Sequence, residues 1–331
     1  MRAVILAGGQ GTRLRPLTDS RPKPLVPFMG EPFALGLLRR LADIGVTRAD
    51  FLVGDDAAPF APLHAAGERA GVEVAVRTEE SPLDTAGAVR RLFAEGAGEQ
   101  PVLVCNGDIL TDLDYAGLVR AHGDSGADAT LALTRVADTS SFGVVVCRAD
   151  GRVERFVEKP PPGTLDADTV NAGTYVLAPD VFDAFPGDGP LSFEREVFPG
   201  LLEAGRTLLG VTSDAYWQDL GTPRRYLDGH RAVLDGRCDW PGDPLLERRG
   251  GEVAVHRDAK VDPSAKLGPG TVILAHCTIG AGARLTDSVL LEGALVGDRA
   301  MVRGSILCEV ASVEPAAALD AMVLPQGASF G

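Results

Sequence analysis

Small aliphatic residues recur at every sixth position in the C-terminal part of this chain. Six of them are in phase: Val261, Leu267, Ile273, Ile279, Leu285 and Leu291. A six-residue period is typical of a hexapeptide β-helix, in which each coil has three short faces and one inward aliphatic side chain per face fills the narrow axis. The pattern loses definition after Leu307. It predicts a left-handed parallel β-helix of roughly three to four coils over residues 253–331.

The first part of the chain alternates between short apolar runs and amphipathic helical patterns. The apolar runs cover residues 3–6, 51–53, 72–76 and 102–105, and the helical patterns cover residues 32–44, 56–70 and 85–95. This βαβαβαβ order predicts a doubly wound, mostly parallel, Rossmann-like sheet. Longer strand patterns over residues 129–177 predict an antiparallel or mixed insertion that walls a pocket. The expected fold class is therefore α/β, with a doubly wound mixed sheet followed by the β-helix.

The length of the chain favours two unequal domains, because 331 residues exceed one typical domain. We expect the α/β domain over residues 1–235 and the β-helix domain over residues 253–331. Residues 236–252 are rich in Gly, Pro and Arg, so they are interpreted as a linker.

The acidic composition limits the class of partner. A net charge of −14 and a pI near 4.8 argue against nucleic acid, because binding a phosphate backbone needs a broad basic surface. The first apolar run is unlike a signal peptide, and no stretch reaches membrane-spanning length. The five cysteines are scattered without metal-site spacing: Cys105, Cys147, Cys238, Cys277 and Cys308. We expect a cytoplasmic protein with buried free thiols that binds neither nucleic acid nor a membrane.

A glycine-rich loop with two cations directly follows the first apolar run. Gly8, Gly9 and Gly11 allow the backbone to approach an anion and to aim its N–H groups at phosphate oxygens. Arg13 and Lys23 supply the fixed positive charge that a triphosphate requires. Leu14 stands where a dinucleotide-binding loop needs a third glycine, and the Walker lysine pattern is missing. The loop therefore indicates a nucleoside triphosphate site of another kind.

Two aspartates follow strand-like segments. Asp108 comes after an apolar strand and an Asn-Gly turn, and Asp219 follows the sequence YWQ. Carboxylates at the carboxyl ends of strands in an open α/β sheet lie where ligands bind, and two of them could hold one Mg²⁺ together with phosphate oxygens. The alternative for either residue is a turn or helix-capping aspartate.

Six segments of this chain resemble the sugar-phosphate nucleotidylyltransferase family, and the resemblance extends over nearly the whole chain. The segments are LAGGQGTRLRPLTDSRPKPLVP at residues 6–27, TEESPLDTAGA at 78–88, NGD at 106–108, FVEKP at 156–160, NAGTY at 171–175 and WQDLGTPRRY at 217–226. With its hexapeptide tail the chain most resembles the bacterial mannose-1-phosphate guanylyltransferases. That resemblance implies that residues 1–235 form the catalytic domain.

The resemblance also assigns site residues. It implies that Arg13 and Lys23 are catalytic and that Asp108 and Asp219 carry Mg²⁺. The implied nucleotide-binding residues are Leu6, Ala7, Gly8, Gly9, Gly11, Thr12, Arg13, Lys23, Thr85, Ala86, Gly87, Asn106 and Gly107. The implied sugar-phosphate-binding residues are Gly143, Glu158, Lys159, Asn171 and Gly173. For Glu158 and Lys159 a surface ion pair is the alternative. Asp84 stands where many relatives carry Gly, and it could alter the loop, accept hydrogen bonds from a base, or be an exposed loop residue.

The expected reaction joins GTP and mannose 1-phosphate into GDP-mannose and pyrophosphate by direct in-line attack, without a general base. Alternatives are another nucleoside triphosphate with glucose 1-phosphate or a sugar-like cyclitol phosphate, an acyltransferase that uses His256 or His276 on the β-helix, and a non-catalytic regulatory homologue that binds a nucleotide sugar. The presence of the loop cations and both aspartates disfavours the regulatory reading. Because the ends of a β-helix need covering, we expect a homodimer or a higher homo-oligomer.

Overall fold

The computed structural model describes residues 1–96, 100–161 and 167–331. Its contacts divide the chain into two units. The first comprises Met1–Gly9, Leu37–Ile109 and Leu113–Trp217, and the second comprises Gln10–Gly36, Leu110–Asp112 and Gln218–Gly331. Gly8 and Gly9 thus lie in the first unit, whereas Gly11 and the segment up to Gly36 group with the C-terminal part of the chain. Local patterns give the order of elements, and they do not reveal which distant residues a loop packs against.

The first unit is built on a mixed sheet. The strands up to residue 219 are β1 (Arg2–Leu6), β2 (Pro27–Phe28), β3 (Glu31–Pro32), β4 (Arg48–Val53), β5 (Glu73–Thr78), β6 (Val102–Asn106), β7 (Ile109–Thr111), β8 (Ala129–Arg135), β9 (Gly143–Cys147), β10 (Val153–Glu158), β11 (Thr169–Leu177), β12 (Leu208–Thr212) and β13 (Trp217–Asp219). The main sheet has the order β10-β9-β11-β6-β1-β4-β5, and β8 pairs with both β11 and β12. Outside it, β2 pairs with β3 and β7 pairs with β13.

The pairing directions confirm the predicted doubly wound mixed sheet. Strands β6, β1, β4 and β5 are parallel, whereas β8, β9 and β11 pair antiparallel within the predicted insertion. The helices are α1 (Phe33–Asp43), α2 (Pro62–Ala70), α3 (Asp84–Ala94), α4 (Tyr115–Ser125), α5 (Phe198–Glu203) and α6 (Pro223–Leu234). Among the described residues, none of the helices is long and apolar enough to cross a membrane.

The core of the sheet is aliphatic in its parallel half and aromatic beside β11. Val4 and Val104 on the central strands are fully buried. Tyr175, Phe193 and Phe198 are also fully buried, with ring centroids 5.0 to 5.4 Å apart. Burying such rings removes a large apolar area from water, which stabilises the strand and the turn that carry them.

The C-terminal part is a parallel β-helix. Its strands are β14 (Leu246–Arg249), β15 (Val253–His256), β16 (Lys260–Val261), β17 (Lys266–Leu267), β18 (Thr271–Ile273), β19 (Thr278–Ile279), β20 (Arg284–Thr286), β21 (Val289–Leu290), β22 (Leu295–Val296), β23 (Met301–Arg303), β24 (Ile306–Leu307), β25 (Ser312–Val313), β26 (Ala318–Asp320), β27 (Val323–Leu324) and β28 (Ser329–Phe330). They form three faces, β15-β18-β21-β24-β27, β16-β19-β22-β25-β28 and β17-β20-β23-β26. Strand β14 pairs antiparallel with β15, so the linker predicted over residues 236–252 contributes a strand to the first face.

The strict six-residue spacing is wrong beyond Leu285. The ladder places Leu290, not Leu291, opposite Ile273, and the following partners are Leu307 and Leu324. These positions are 17 residues apart because one side of each later coil has five residues instead of six. The expectation that the repeat fades after Leu307 is also wrong, since the pairing continues to residue 330.

The corners of the coils require left-handed backbone conformations. Residues with positive φ recur at the same corner in successive coils: His276, Gly293, Val310 and Gly327, with φ of 60°, 73°, 52° and 70°. Glycine adopts this conformation without steric cost, whereas a β-branched residue does not. Val310 is 55% exposed, so its side chain gains little from burial. This corner is therefore a point of local strain.

We predict that Val310→Gly raises the free energy of unfolding by about 1 kcal/mol, because it removes the strain and little buried surface. The matched control is Gly327→Val at the same corner one coil later, where an added Cβ has no neighbour within 4 Å. That change is expected to cost about 1–2 kcal/mol through backbone strain alone. Urea unfolding of the three proteins measures both effects, and equal stabilities would contradict the strain argument.

Candidate functional site

The nucleotide-loop residues of the first unit meet at the carboxyl end of the central strand β1. Leu6 lies between Leu52 on β4 and Asn106 on β6. The backbone N–H of Gly107 donates to the carbonyl of Leu6 over 2.9 Å, and that of Ala7 donates to Leu52 over 2.8 Å. Because the strands are parallel, their carboxyl ends share one edge of the sheet. The structure thus brings together the predicted residues 6, 7, 106 and 107, and exposed Gly8 and Gly9 follow directly.

In the second unit, Gly11 shapes the remainder of the loop. Its φ is 63°, and a Cβ there would lie 3.0 Å from Cγ2 of Thr18 and 3.2 Å from Cβ of Lys23. The Thr18 hydroxyl donates to the Gly11 carbonyl over 2.9 Å. Thr12 and Arg13 then start a single 3₁₀ turn. Glycine at position 11 therefore allows the loop to fold back until Lys23 lies beside it.

Three cations surround the carboxylate of Asp219. Lys23 Nζ lies 3.0 Å from Oδ1, and Arg225 Nη1 lies 3.0 Å from Oδ2. Arg13 Nη2 is 3.8 Å from Oδ2. Only 10% of the Lys23 side chain and 15% of the Asp219 side chain are exposed, whereas Arg13 is 70% exposed. Three cations concentrate positive charge around one carboxylate, which suits a polyanionic ligand. We call these four residues the Asp219 cluster.

Two members of this neighbourhood were missed by the sequence reasoning. Arg225 belongs to the first turn of α6, which Thr222 caps by accepting the Arg225 N–H over 3.3 Å. Gly221 is required because a Cβ there would lie 2.7 Å from Oδ1 of Asp219. The sequence Thr-Pro-Arg-Arg is a helix-start signal, and it could have placed Arg225 on the first turn next to Asp219.

The predicted metal ligands offer oxygen donors of the kind that a hard divalent cation prefers. The Asp219 carboxylate is fixed within its cluster, and the partly buried Asp108 follows β6 through the Asn-Gly turn. In the described parts of the chain, no group of three or more His, Cys, Asp or Glu side chains forms a metal site. The predicted metal role of each aspartate stays a prediction, and a divalent ion at either carboxylate would need further oxygens, which a triphosphate supplies.

The predicted sugar-site residues on β11 form a connected polar network. Asn171 donates from Nδ2 to the Tyr175 hydroxyl over 2.6 Å and accepts the Gly173 N–H at Oδ1 over 2.9 Å. Gly173 has φ of 73°, and a Cβ there would lie 2.5 Å from Nδ2 of Asn106. The fully buried Tyr175 has a pKa raised well above its usual range, mainly by burial and by Glu194. The structure therefore places Asn106, predicted for the nucleotide, against the sugar-site residue Gly173.

Glu158 ends β10, the edge strand that pairs with β9, and Lys159 follows it directly. Glu158 pairs in register with Gly143, and a Cβ at residue 143 would lie 2.9 Å from its Oε2. Lys159 Nζ contacts Glu158 Oε1 over 2.9 Å, and 64% of the Lys159 side chain is exposed. This is the surface ion pair that the sequence left as an alternative. Its exposure also leaves the ammonium able to contact an anion.

The predicted base loop is the first turn of α3. Ala86 and Gly87 are buried, and both of their N–H groups donate to the Leu191 carbonyl, over 2.8 and 3.1 Å. The Thr85 hydroxyl donates to Glu194 over 2.8 Å. The N–H groups of residues 86 and 87 thus have a partner within the protein, and the role of residues 85–87 in binding a nucleobase stays a prediction.

Asp84 begins this helix with a left-handed backbone, at φ of 60°. One carboxylate oxygen accepts the N–H of Thr85 over 2.8 Å, and the other pairs with the guanidinium of Arg195. Asp84 thus keeps the backbone conformation that a glycine would adopt, and its side chain engages a neighbouring segment.

The chain after Lys23 is docked on α6 by buried polar contacts. The Tyr226 hydroxyl donates to the carbonyl of Pro27. His230 accepts the Met29 N–H at Nε2 over 3.2 Å and contacts the Tyr226 carbonyl through Nδ1 over 3.0 Å. Burial lowers the pKa of His230 from 6.5 to about 4, so its ring is neutral in the folded protein near neutral pH.

We predict that His230 makes the protein less stable as the pH falls from 6.5 towards 4. The unfolded chain binds the proton in this range and the folded chain does not. The free energy of unfolding therefore falls by about 3 kcal/mol from its value above pH 6.5. Urea unfolding between pH 8 and pH 4.5 should show that the stability gap between wild type and His230→Gln narrows with falling pH. His276→Gln, at a 63% exposed side chain, is the control. A constant gap for residue 230 would be inconsistent with a buried neutral ring.

Comparison with known proteins agrees with this geometry. Residues 2–236 match the nucleotidyl transferase family, and residues 249–329 match the GMPPB C-terminal domain. The mannose-1-phosphate guanylyltransferase of Mycobacterium tuberculosis is 38% identical over 89% of this chain and 80% of its own length. Mannose-1-phosphate guanyltransferase beta-A of Xenopus laevis is 33% identical over 90% of this chain and 86% of its own length.

Solved structures support the same relationship. HddC from Yersinia pseudotuberculosis complexed with GMP-PN is 29% identical, with a TM-score of 0.58, and covers 69% of this chain and 97% of its own. A glucose-1-phosphate thymidylyltransferase from Bacillus anthracis, described as putative, shares the fold at 22% identity and a TM-score of 0.62, over 69% of this chain and 93% of its own.

Proposed function

This chain belongs to the nucleotidyl transferase family, and we propose that it transfers a nucleoside monophosphate from a nucleoside triphosphate to a sugar 1-phosphate, with release of pyrophosphate. The observation that carries this proposal is the Asp219 cluster. Its three cations come from the glycine loop and from α6, and this clustered positive charge supports a role in neutralising a triphosphate. The retained cations and carboxylates argue against a non-catalytic regulatory homologue.

The preferred substrates in this proposal are GTP and mannose 1-phosphate, and the product is GDP-mannose. The two relatives compared above are named for guanylyl transfer to mannose 1-phosphate, and HddC has been solved with GMP-PN. Another nucleoside triphosphate, or glucose 1-phosphate or a cyclitol phosphate, would require different contacts from the base and sugar sites and leave the chemistry unchanged.

The proposed step is a single in-line displacement. A phosphate oxygen of the sugar 1-phosphate attacks the α-phosphorus, and the bond from this phosphorus to the bridging oxygen breaks as pyrophosphate leaves with the electron pair. A phosphate anion is already a nucleophile, so no general base is needed and alignment with charge neutralisation carries the rate. Lys23, mostly shielded from water, holds a fixed position, while the exposed Arg13 can move onto the incoming phosphates.

Mg²⁺ is the proposed metal, and Asp108 and Asp219 would hold it. Bound there with phosphate oxygens, it would neutralise charge on the triphosphate. Asp219 forms ion pairs with Lys23 and Arg225, so these two residues keep its carboxylate oriented whether or not a metal ion is bound.

The position of His256 argues against its use in acyl transfer by the β-helix. His256 is only 5% exposed and accepts the Asp258 N–H at Nδ1 over 3.1 Å, so it does not lie on an outer face. His276 is exposed at a corner, where its neighbour Glu292 lies 3.8 Å away.

We further propose that the protein is a homo-oligomer in the cytoplasm. The five free cysteines are suited to the reducing conditions of that compartment.

The test of the proposed function is pyrophosphate release by the purified protein. Each common nucleoside triphosphate is combined with mannose 1-phosphate and then with glucose 1-phosphate, with and without Mg²⁺ and with excess EDTA. GTP with mannose 1-phosphate should give the highest kcat/KM, and EDTA should abolish release. Pyrophosphate release with a different pair of substrates would change only the assigned specificity. No release with any pair would contradict the proposed function.

The lysines permit a sharper prediction, because the chain has only four: Lys23, Lys159, Lys260 and Lys266. Lys23→Ala should lower kcat by roughly 10²- to 10³-fold, since its charge acts at the developing transition state. Lys159→Ala should instead raise the KM for mannose 1-phosphate roughly tenfold with the KM for GTP unchanged. The exposed Lys266→Ala is the control and should behave as wild type. Steady-state kinetics in both substrates separates these effects, and wild-type turnover of Lys23→Ala would exclude the proposed charge role.

A further inference from the structure

The glycine loop is tied to the β-helix by an ion pair inside the second unit. Arg21 precedes Lys23 by two residues, and its Nη2 lies 2.7 Å from Oε1 of Glu309. Glu309 is at the corner between β24 and β25. The pair joins positions 288 residues apart in sequence, and no local pattern predicts it.

This ion pair is partly shielded from water. The exposed fractions are 25% for Arg21 and 17% for Glu309, compared with 71% and 55% in the Arg303–Asp320 pair on the β-helix surface. An exposed pair contributes little to stability, whereas removing one partner of a shielded pair leaves an uncompensated charge. The Arg21–Glu309 contact therefore fixes the position of the loop segment that carries Arg21.

The segment between Arg21 and Lys23 is stiff. Pro22 and Pro24 flank Lys23, and each restricts its own φ. The N–H of Leu25 donates to the Pro22 carbonyl over 2.9 Å, closing a tight turn around Lys23. A displacement of Arg21 is therefore transmitted to Lys23, whose Nζ lies 3.0 Å from Asp219.

The corner that presents Glu309 is itself fixed. The Glu309 carbonyl accepts the Gly327 N–H over 3.0 Å, and the Val310 N–H donates to the Glu292 carbonyl over 3.0 Å. Val310 holds the left-handed conformation although glycine occupies the same corner at positions 293 and 327. Strained residues persist where the surrounding structure determines them, and they concentrate at functional positions.

We propose that Glu309 is a positioning residue for the transfer reaction: by holding Arg21, the β-helix keeps Lys23 in place within the Asp219 cluster. This inference rests on the proposed function of Lys23 and adds a role for the β-helix in the reaction. Because a displacement of about 1 Å in a catalytic group can cost up to 10²-fold in rate, loss of the pair should appear in kcat.

The first experiment compares Glu309→Gln with Glu292→Gln in the full chain. Glu292 occupies the same corner one coil earlier, and its side chain is 65% exposed beside His276. Glu309→Gln should lower kcat roughly tenfold with little change in either KM, and Glu292→Gln should match wild type. The charge exchange Arg21→Glu with Glu309→Arg should restore at least a third of the lost rate. Equal kcat values for the two glutamine variants, or a loss in the exchange variant as large as in Glu309→Gln, would overturn the proposal.

A second readout does not depend on activity. The full-length protein is acetylated with a lysine-directed reagent and then digested, and mass spectrometry of the peptides reports the accessibility of each of the four lysines. Lys23 is 10% exposed, so it should react slowly in wild type and several-fold faster in Glu309→Gln, with Lys260 and Lys266 unchanged. Faster labelling of all four lysines would indicate general unfolding, and unchanged Lys23 labelling would indicate no repositioning. Either result would overturn the proposal.

The two readouts keep the inference separate from the proposed function. If wild type releases no pyrophosphate but Glu309→Gln selectively exposes Lys23, the positioning of Lys23 stands and the transferase proposal fails. If wild type is active and Glu309→Gln alters neither kcat nor labelling, the transferase proposal stands and the positioning role fails. Arg21→Lys, which keeps the charge on a shorter reach, should fall between wild type and Glu309→Gln in both measurements.

Discussion

The carboxylate of Asp219 is the constraint on which the candidate site depends. A charge that is 85% removed from solvent must be paired, because desolvation is costly unless opposite charges compensate it. Lys23 and Arg225 supply that compensation from two segments about 200 residues apart. Once the carboxylate is fixed, the cations around it are fixed as well. Gly11 and Gly221 are needed because side chains there would occupy the space in which these groups meet.

The surroundings of the cluster extend this constraint along the chain. Tyr226 and His230 on α6 hold the backbone after Lys23, and Glu309 on the β-helix holds Arg21, two residues before it. Lys23 is thus bracketed by contacts on both sides. The Arg21–Glu309 ion pair thereby connects the β-helix to the loop that would bind phosphate. The contacts lie within one unit of the molecule, which explains why residues 10–36 group with the C-terminal part of the chain.

In the first unit, a network of hydrogen bonds orders polar side chains next to a hydrophobic sheet. Asn171 donates to the Tyr175 hydroxyl, which also interacts with Glu194. Glu194 in turn accepts a hydrogen bond from the Thr85 hydroxyl at the start of α3. Buried polar networks of this kind are stable only when every member has a partner. Lys159 differs from them, because its side chain is exposed and pairs with Glu158 at the surface, so it can exchange that partner for an anionic ligand.

The sequence by itself determined the fold class, the alternation of strands and helices, the presence of a β-helix and the residue types of the phosphate site. Those features follow from local periodicity, from glycine and proline placement and from charge in a short segment, and all of them are readable without knowing distant contacts. Only the tertiary structure decided the partners. Nothing in the local sequence distinguishes Arg225 and Glu309 from other charged surface residues. Nor does it show that the N–H groups of Ala86 and Gly87 donate to the Leu191 carbonyl. The inward position at Leu290, in place of Leu291, is visible only from the pairing of one coil with the next, because one side of the coil has five residues instead of six. Such contacts join residues far apart along the chain, and their free energy is set by burial and geometry that no local pattern encodes.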